Sequence, residues 1–344
     1  MKQIKKMKLT LLVVVMFLLM VGCSSTKKNE AELETTNTPE VTAIEESTNE
    51  AGATPEQTTA TTLTPAPTQG GSISIVDMKD RTVTFDQVPS KMVVLLASDV
   101  EILYEIGAQD SIVAVGEYCN YPEEALEKKV VATGDKMNVE QVIALDPDVV
   151  VMGIMGQTKE QTEQLENAGI KVVVTASESI AGTYEAIEVL GQLAGKETEA
   201  TNLIQEMKDA FAAIKEKAVA KSEKTVYFEV SPLEYGLWTA GSGTFMQELA
   251  EIVDLKNAFE DISGWAEVSE EQVIERDPDY IVTSAMYDGQ GVSPVDEILG
   301  RNNWGELTAV KNEKVFNGNS DMMTRPGPRL VDAANALYEF VYGE

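Results

Sequence analysis

The chain writes one pattern twice. Residues 138–151 read NVEQVIALDPDVVV and residues 269–282 read SEEQVIERDPDYIV, with Glu140 and Glu271 standing 131 positions apart. In each copy a capping residue, Asn138 or Ser269, is followed three positions later by Gln141 or Gln272, which is the signature of a capping box. A short helix follows. An Asp-Pro-Asp corner ends it, because proline cannot continue a helix, and a β-branched run then starts a strand. The period is far too long for a solenoid, so the duplication predicts two related α/β lobes. Between the copies, ETEATNLIQEMKDAFAAIKEKAVA reads as one long helix.

Charge and residue types narrow the function classes. The formal net charge is −30, which argues against a nucleic-acid ligand, since binding one needs a basic stripe that displaces counterions. There is no histidine, so the commonest general base and the commonest transition-metal ligand are both missing. Ser-His-Asp and Cys-His catalysis are excluded, and zinc hydrolysis and free metal ions are disfavoured. The two cysteines are Cys23 and Cys119.

The first 22 residues carry Lys2, Lys5, Lys6 and Lys8, then an apolar run from Leu11 to Val21. That is a secretory signal, too short and too abruptly ended for a stable membrane span. It stops at Val21-Gly22-Cys23, which resembles a bacterial lipoprotein signal in which Cys23 becomes the lipidated (palmitate-bearing) N-terminus. An ordinary signal peptide with a chance cysteine is the alternative. Residues 23–71 are crowded with Thr, Glu, Pro and Ala and contain no aromatic. They cannot bury enough surface to offset ordering entropy and predict a disordered tether.

Folding is expected from residue 72. ISIVDMKDRTVTF reads as a hairpin, and Met92–Leu96 as a buried strand. Ser98-Asp99-Val100-Glu101 has the form of a further capping box, opening a helix that ends at Gly107. Strands alternating with helices then predict parallel sheets. The expected division is an N-terminal lobe over 72–197, a bridging helix over 198–222 and a C-terminal lobe over 223–344.

Several residues stand out as site candidates. A glutamate in a first helical turn complements the helix dipole, which accounts for Glu140 or Glu271 singly. Both at one equivalent point also suit a paired acidic clamp for basic groups on a partner. Tyr118, Tyr121, Trp238, Trp265 and Tyr287 fall in predicted loops, where aromatics would wall a large planar ligand beyond the carboxyl ends of the strands; ordinary packing is the alternative for each. Arg325, near Met322-Met323, could meet a ligand or pair with an acid. Arg329, in the first turn of the last helix, opposes the dipole and hints at a carboxylate partner. Cys119 lacks a histidine to activate it and reads as structural. Gly241–Thr244 precedes a helix but lacks the Gly-Lys-Ser/Thr ending of a phosphate loop.

The segments MKDRTVTFDQVPSKMVVLLASDVEILYEIGAQDSIVAVGEYCNYPEEA, MNVEQVIALDPDVVV, GWAEVSEEQVIERDPDYIV and TRPGPRLVDA together resemble the substrate-binding lipoproteins of ABC importers for cobalamin, ferric siderophores and haem. The resemblance covers essentially all of residues 73–344. It implies a class III periplasmic binding protein-like fold: α/β, two Rossmann-like lobes with parallel sheets bridged by one long α-helix, with the ligand held between them. It places Glu140 and Glu271 where the family docks on permease arginines, and Tyr118 and Trp265 where the cobalamin binders line the cleft. The segment Tyr118-Cys119-Asn120-Tyr121-Pro122 is most similar to the cobalamin branch. A further tryptophan of that branch, six residues before the first docking glutamate, is Gly134 here.

The implied protein is a monomeric, non-enzymatic lipoprotein on the extracellular face of the cell membrane, anchored through Cys23. It would deliver a cobalt- or iron-containing chelate to a permease and its ATPase, with no cofactor of its own. Cobalamin or a related corrinoid leads; a ferric siderophore or haem is the alternative, and haem would need an axial ligand such as Tyr118 or Met322. A sensor or adhesin that keeps the fold, or a chelate-processing enzyme, is the reading outside transport.

Overall fold

The computed structural model describes residues 71–154, 159–218 and 223–343. The expected signal, Cys23 and all but the last residue of the expected tether lie outside them. In chain order the elements are β1 (Ile73–Val76), β2 (Thr82–Phe85), β3 (Met92–Val94), α1 (Ala97–Glu105), β4 (Ile112–Gly116), β5 (Lys129–Val131), α2 (Val139–Ile143), β6 (Val149–Gly153), α3 (Lys159–Asn167), β7 (Lys171–Thr175), α4 (Ile180–Ala194) and α5 (Glu197–Lys217). They continue as β8 (Thr225–Glu229), β9 (Trp238–Ala240), α6 (Phe245–Ile252), β10 (Lys256–Asn257), β11 (Trp265–Glu267), α7 (Glu270–Arg276), β12 (Tyr280–Thr283), α8 (Pro294–Leu299), α9 (Thr308–Lys311), β13 (Val315–Asn317), α10 (Ser320–Thr324) and α11 (Leu330–Tyr342).

The first lobe is built on a five-stranded sheet of order β5-β4-β3-β6-β7, in which every pairing is parallel. Its strands read as near-continuous apolar runs because both faces are covered; all five residues of β6 are buried. Alternate residues point to opposite faces. Met92, Val94, Val149 and Val151 pack with α1 and α4, whereas Val93, Val150 and Met152 pack with Val142 of α2 and Leu165 of α3. The β1–β2 hairpin is antiparallel. Asp77 ties its turn to the sheet, accepting from the amides of Lys79, Arg81 and Val174 and from the Arg81 side chain. Burial alone would raise the Asp77 carboxyl, but these donors outweigh it and hold it below the ordinary aspartate value.

The second lobe carries a parallel sheet of order β10-β8-β12-β13 and a small antiparallel pair, β9 with β11. Val226, Phe228, Tyr280 and Val282 face α6 and α11; Tyr227, Ile281 and Val315 face the layer containing Val273, Ile298, Trp304 and Ala309. Trp238 and Trp265, expected in loops, therefore lie on the short strands β9 and β11, where Trp265 pairs with Ala240 and Trp238 with Glu267.

The 21 residues of α5 span about 30 Å. Its buried positions, Ala200, Ile204, Met207, Phe211 and Ile214, recur every three or four residues and form the stripe a packed helix needs. The stripe lies against α4, α6 and α11. The turn before it uses Gly195 at φ 64° as a left-handed cap, which glycine adopts without a Cβ penalty. Inner-face residues of both sheets belong to one continuous apolar cluster running through α1, α4, α5, α6 and α11.

The capping boxes turn out unequal. At Ser269 the box is complete, with the Gln272 amide donating to Ser269 Oγ at 3.3 Å and the Ser269 amide donating to Gln272 Oε1 at 2.9 Å. Asn138 accepts from the Gln141 amide at 3.1 Å, but no reciprocal bond forms. The box expected at Ser98 is absent: α1 starts at Ala97, and its first turn has no side-chain cap. Asp99 and Glu101 are buried and take partners elsewhere.

Asp99 accepts from the Thr175 hydroxyl at 2.8 Å. Burial lifts its carboxyl to about 7, against the pull of that hydrogen bond. An unfolded aspartate titrates near 3.9, so the folded state holds this proton more tightly. The resulting stability is fully present below about pH 4 and is lost as pH rises to about 7, on the order of 4 kcal/mol in all. Asp99→Asn is expected to remove that loss. Urea unfolding of both proteins from pH 4 to 8 checks it: the variant should gain on the parent as pH rises, and a pH-independent difference would contradict the assignment.

Candidate ligand cleft and docking surface

In open α/β sheets ligands bind beyond the carboxyl ends of the strands, where the strand order reverses. In the second lobe that point is β8, with β10 on one side and β12 on the other. A cavity of about 1070 Å³ opens there, lined by Glu229 at the end of β8, Ala285 just after β12 and Asn317 at the end of β13. The first lobe contributes Asn120, from the loop after β4. The volume lies at or above the usual range for small-molecule pockets and suits a large ligand rather than a bare ion.

The wall is acidic. Glu229, Glu234, Asp288, Glu297 and Asp321 line it, and among the described residues no lysine or arginine does. Asparagines, Gln290 and Ser320 add neutral polar groups, and Leu233, Met286, Tyr287 and Val292 supply apolar surface. The cation that stabilises this wall sits behind it. Arg301, with a side chain 3% exposed, donates to Glu229 through Nη1 and Nη2 at 2.7 and 3.0 Å, and to Glu297 through Nε and Nη2 at 3.0 and 2.6 Å. Its guanidinium lies 4.2 Å from the Trp304 ring centre. Burial would lower the arginine's pKa, but the two carboxylates outweigh it and hold it above the ordinary value. The carboxylates a ligand meets are therefore the exposed Glu234, Asp288 and Glu297, whereas Glu229 is buried against Arg301.

Of the aromatic candidates, Tyr287 lines this cavity, whereas Tyr118, Tyr121, Trp238 and Trp265 are not among its described lining residues. Trp238 is 41% exposed and bridges to Ser231, next to the lining residue Pro232. Trp265 is half-buried, its ring 5.4 Å from that of Phe245. Tyr118 is 67% exposed, and Tyr121 stacks on Arg329, 4.1 Å from the guanidinium carbon to the ring centre. Cys119 between them is buried, and desolvation pushes its thiol up to about 12, so it stays protonated and inert at neutral pH. Arg325 spends its donors on protein partners: Glu101, Asn120, Asp321 and the Tyr118 carbonyl.

Sequence reasoning missed Glu229, Glu297, Arg301, Asn120 and Glu101. Two of them left a trace. Glu229 ends the otherwise apolar strand TVYFE, where a buried acid demands a base; Arg329 at the start of the last helix demanded an acid, and Glu101 is that acid.

Glu140 and Glu271 occupy first turns of α2 and α7, are exposed, and enter no ion pair among the described residues. Each helix directly precedes a strand of its parallel sheet, β6 or β12. A helix in a parallel crossover runs antiparallel to the strands, so each glutamate sits level with the carboxyl ends of its own sheet. Among the described residues, no helix is long and apolar enough to cross a membrane.

Comparison with known proteins agrees with this architecture. The profile of the periplasmic binding protein family matches residues 92–322. A Bacillus subtilis protein, named as the uncharacterized ABC transporter substrate-binding lipoprotein YvrC, is 37% identical over 277 residues, covering 78% of this chain and 85% of its own. The vitamin B12-binding protein of Salmonella paratyphi A is 30% identical over 251 residues, covering 72% of this chain and 88% of its own. A solved structure from Staphylococcus epidermidis, described as a possible iron-binding, periplasmic solute-binding protein, superposes with a TM-score of 0.64 at 30% identity, covering 74% of this chain and all of that one. With its two parallel sheets, its long connecting helix and these relatives, the chain belongs to the periplasmic binding protein family.

Proposed function

We propose that this protein is the substrate-binding component of an ABC importer, capturing a corrinoid of the cobalamin type and presenting it to the permease. The observation that carries the ligand assignment is the acidic, base-free wall of the 1070 Å³ cavity. A corrinoid is large and, in the cyano form of cobalamin, carries no net charge, with a rim of amides that donate to carboxylate and carbonyl oxygens. Haem and ferric catecholates carry anionic groups that this wall repels. The relatives support transport over sensing or catalysis, since they are named for substrate binding. Tyr118, Tyr121, Trp238 and Trp265 form the aromatic rim, Glu140 and Glu271 dock on permease arginines, and Cys23 carries the lipid anchor on the outer face of the membrane. A cationic ferric hydroxamate is the second reading, because the same wall favours positive charge.

The test is a binding panel at low and moderate salt with cyanocobalamin, a cationic ferric hydroxamate, a ferric catecholate and haem. Neutral or cationic chelates are expected to bind about tenfold or more tighter than the anionic ones. Glu234→Gln with Asp288→Asn should narrow that gap. Equal or tighter binding of haem or catecholate would overturn the assignment.

A further inference from the structure

One buried carboxylate joins the two lobes. Glu101 belongs to α1 of the first lobe and is 2% exposed. Both of its oxygens are met from the segment that follows α10 in the second lobe. Arg329 Nε donates to Oε2 at 2.9 Å, Arg329 Nη2 donates to Oε1, and Arg325 Nη1 donates to Oε1 at 3.2 Å. The arginines then reach back to the loop after β4. Arg325 Nη1 donates to Asn120 Oδ1 at 2.7 Å and Nη2 to the Tyr118 carbonyl at 3.0 Å, while the Arg329 guanidinium stacks on Tyr121. Asp321 completes the set, pairing with Arg325 at 2.6 Å and accepting from Asn120 Nδ2 at 2.9 Å.

The arrangement has a direction. Glu101 is anchored on a helix within the shared core, whereas Tyr118 and Tyr121 are exposed on a loop that lacks regular structure. Guanidinium forks hold carboxylates in fixed planes, so Glu101 sets the plane of Arg329 directly and braces Arg325, which Asp321 also holds at 2.6 Å. Those arginines hold Tyr118 by its backbone, Asn120 by its amide and Tyr121 by its ring. Asn120 and Asp321, both inside this network, also line the cavity.

Building on the binding role above, we propose that Glu101 is the positioning residue of the ligand cleft. It does not meet the ligand. It orients Arg325 and Arg329, and through them fixes the loop over residues 118–121 across the lobe junction, so that the cleft has a set span and a pre-formed rim. Preorganisation of this kind is felt in affinity, because a loosened loop must be ordered again on binding.

The test combines amide hydrogen exchange on the ligand-free protein with calorimetric and stopped-flow binding of cyanocobalamin. Glu101→Gln removes the charge and keeps the shape; Arg329→Lys keeps the charge but loses the fork and the stack, at a side chain already 13% exposed, and serves if the first variant does not fold. Asp77→Asn is the control, since it weakens a carboxylate–arginine pair of the first lobe, with Asp77 buried and Arg81 33% exposed, that shares no residue with the loop or with the Glu101 network. The expected result is at least tenfold faster exchange across residues 117–121 and about tenfold weaker binding, mostly through faster dissociation, in Glu101→Gln and Arg329→Lys but not in Asp77→Asn. Parent-like loop exchange in both latch variants would overturn the proposal. Loop loosening equal in Asp77→Asn would overturn it too, by reducing Glu101 to general stability. The exchange measurement needs no ligand, so a parent protein that binds no cyanocobalamin would fail the functional reading while leaving the positioning claim separately tested.

Discussion

Reversing the two glutamates proposed to dock on the permease, Glu140→Arg with Glu271→Arg, is expected to lower cellular uptake of labelled cyanocobalamin about hundredfold or more, while affinity measured by calorimetry stays at the parental value. Each glutamate is exposed in the first turn of a short helix and enters no ion pair among the described residues. Reversal therefore breaks no contact that holds the lobes. Like charges brought face to face across an interface cost several kcal/mol, so two arginines meeting basic permease groups would block productive docking. Single reversals should lie between parent and double variant, because the two lobes would dock at separate points. Lost affinity for cyanocobalamin in the double variant, or unchanged uptake, would sink the docking role. Removal of the proposed lipid anchor at Cys23 would lower uptake too, but through location rather than contact, and a solution measurement of ligand affinity does not see it.

The second large effect is expected at Arg301. Arg301→Met deletes the counter-ion of Glu229, which is 1% exposed, and of Glu297 at the rim. Removing one partner of a buried ion pair leaves an uncompensated charge and costs about 3–5 kcal/mol. For a protein of this size that corresponds to a fall on the order of 10 °C in the unfolding midpoint. The double variant, Arg301→Met with Glu229→Gln, removes both charges and should recover much of the loss, since a buried pair replaced by neutral groups is often near neutral in stability. Thermal unfolding of parent, both single variants and the double variant forms the cycle that isolates the pair. Strict additivity would mean that Arg301 acts through its packing on Trp304 rather than through charge.

The contrast between these two sites explains what could be read from the chain. The repeat was legible because its signals are local: a cap, a glutamine three residues on, a proline corner and a β-branched run all lie within 14 residues. The α5 helix was legible for the same reason, its apolar stripe being periodic. The ion-pair network behind the cavity was not, because Arg301 and Glu229 are 72 positions apart, and nothing local relates them. Glu101 was misread as part of a cap because Ser-x-x-Glu has the same form whether or not the serine sits at the helix boundary; here the cap position is Leu96, two residues before Ser98, and the helix begins at Ala97. The two tryptophans were placed in loops because three-residue strands such as Trp238–Ala240 and Trp265–Glu267 are too short to show alternation. They gain their order from pairing with each other, which no window of sequence contains.

Whether the cleft takes a corrinoid is decided by calorimetric titration of the purified protein with cyanocobalamin. Saturable one-to-one binding is expected, weakened when Trp265→Ala removes one side of the proposed aromatic rim. Absence of heat with cyanocobalamin, together with saturation by haem or a ferric catecholate, would contradict it.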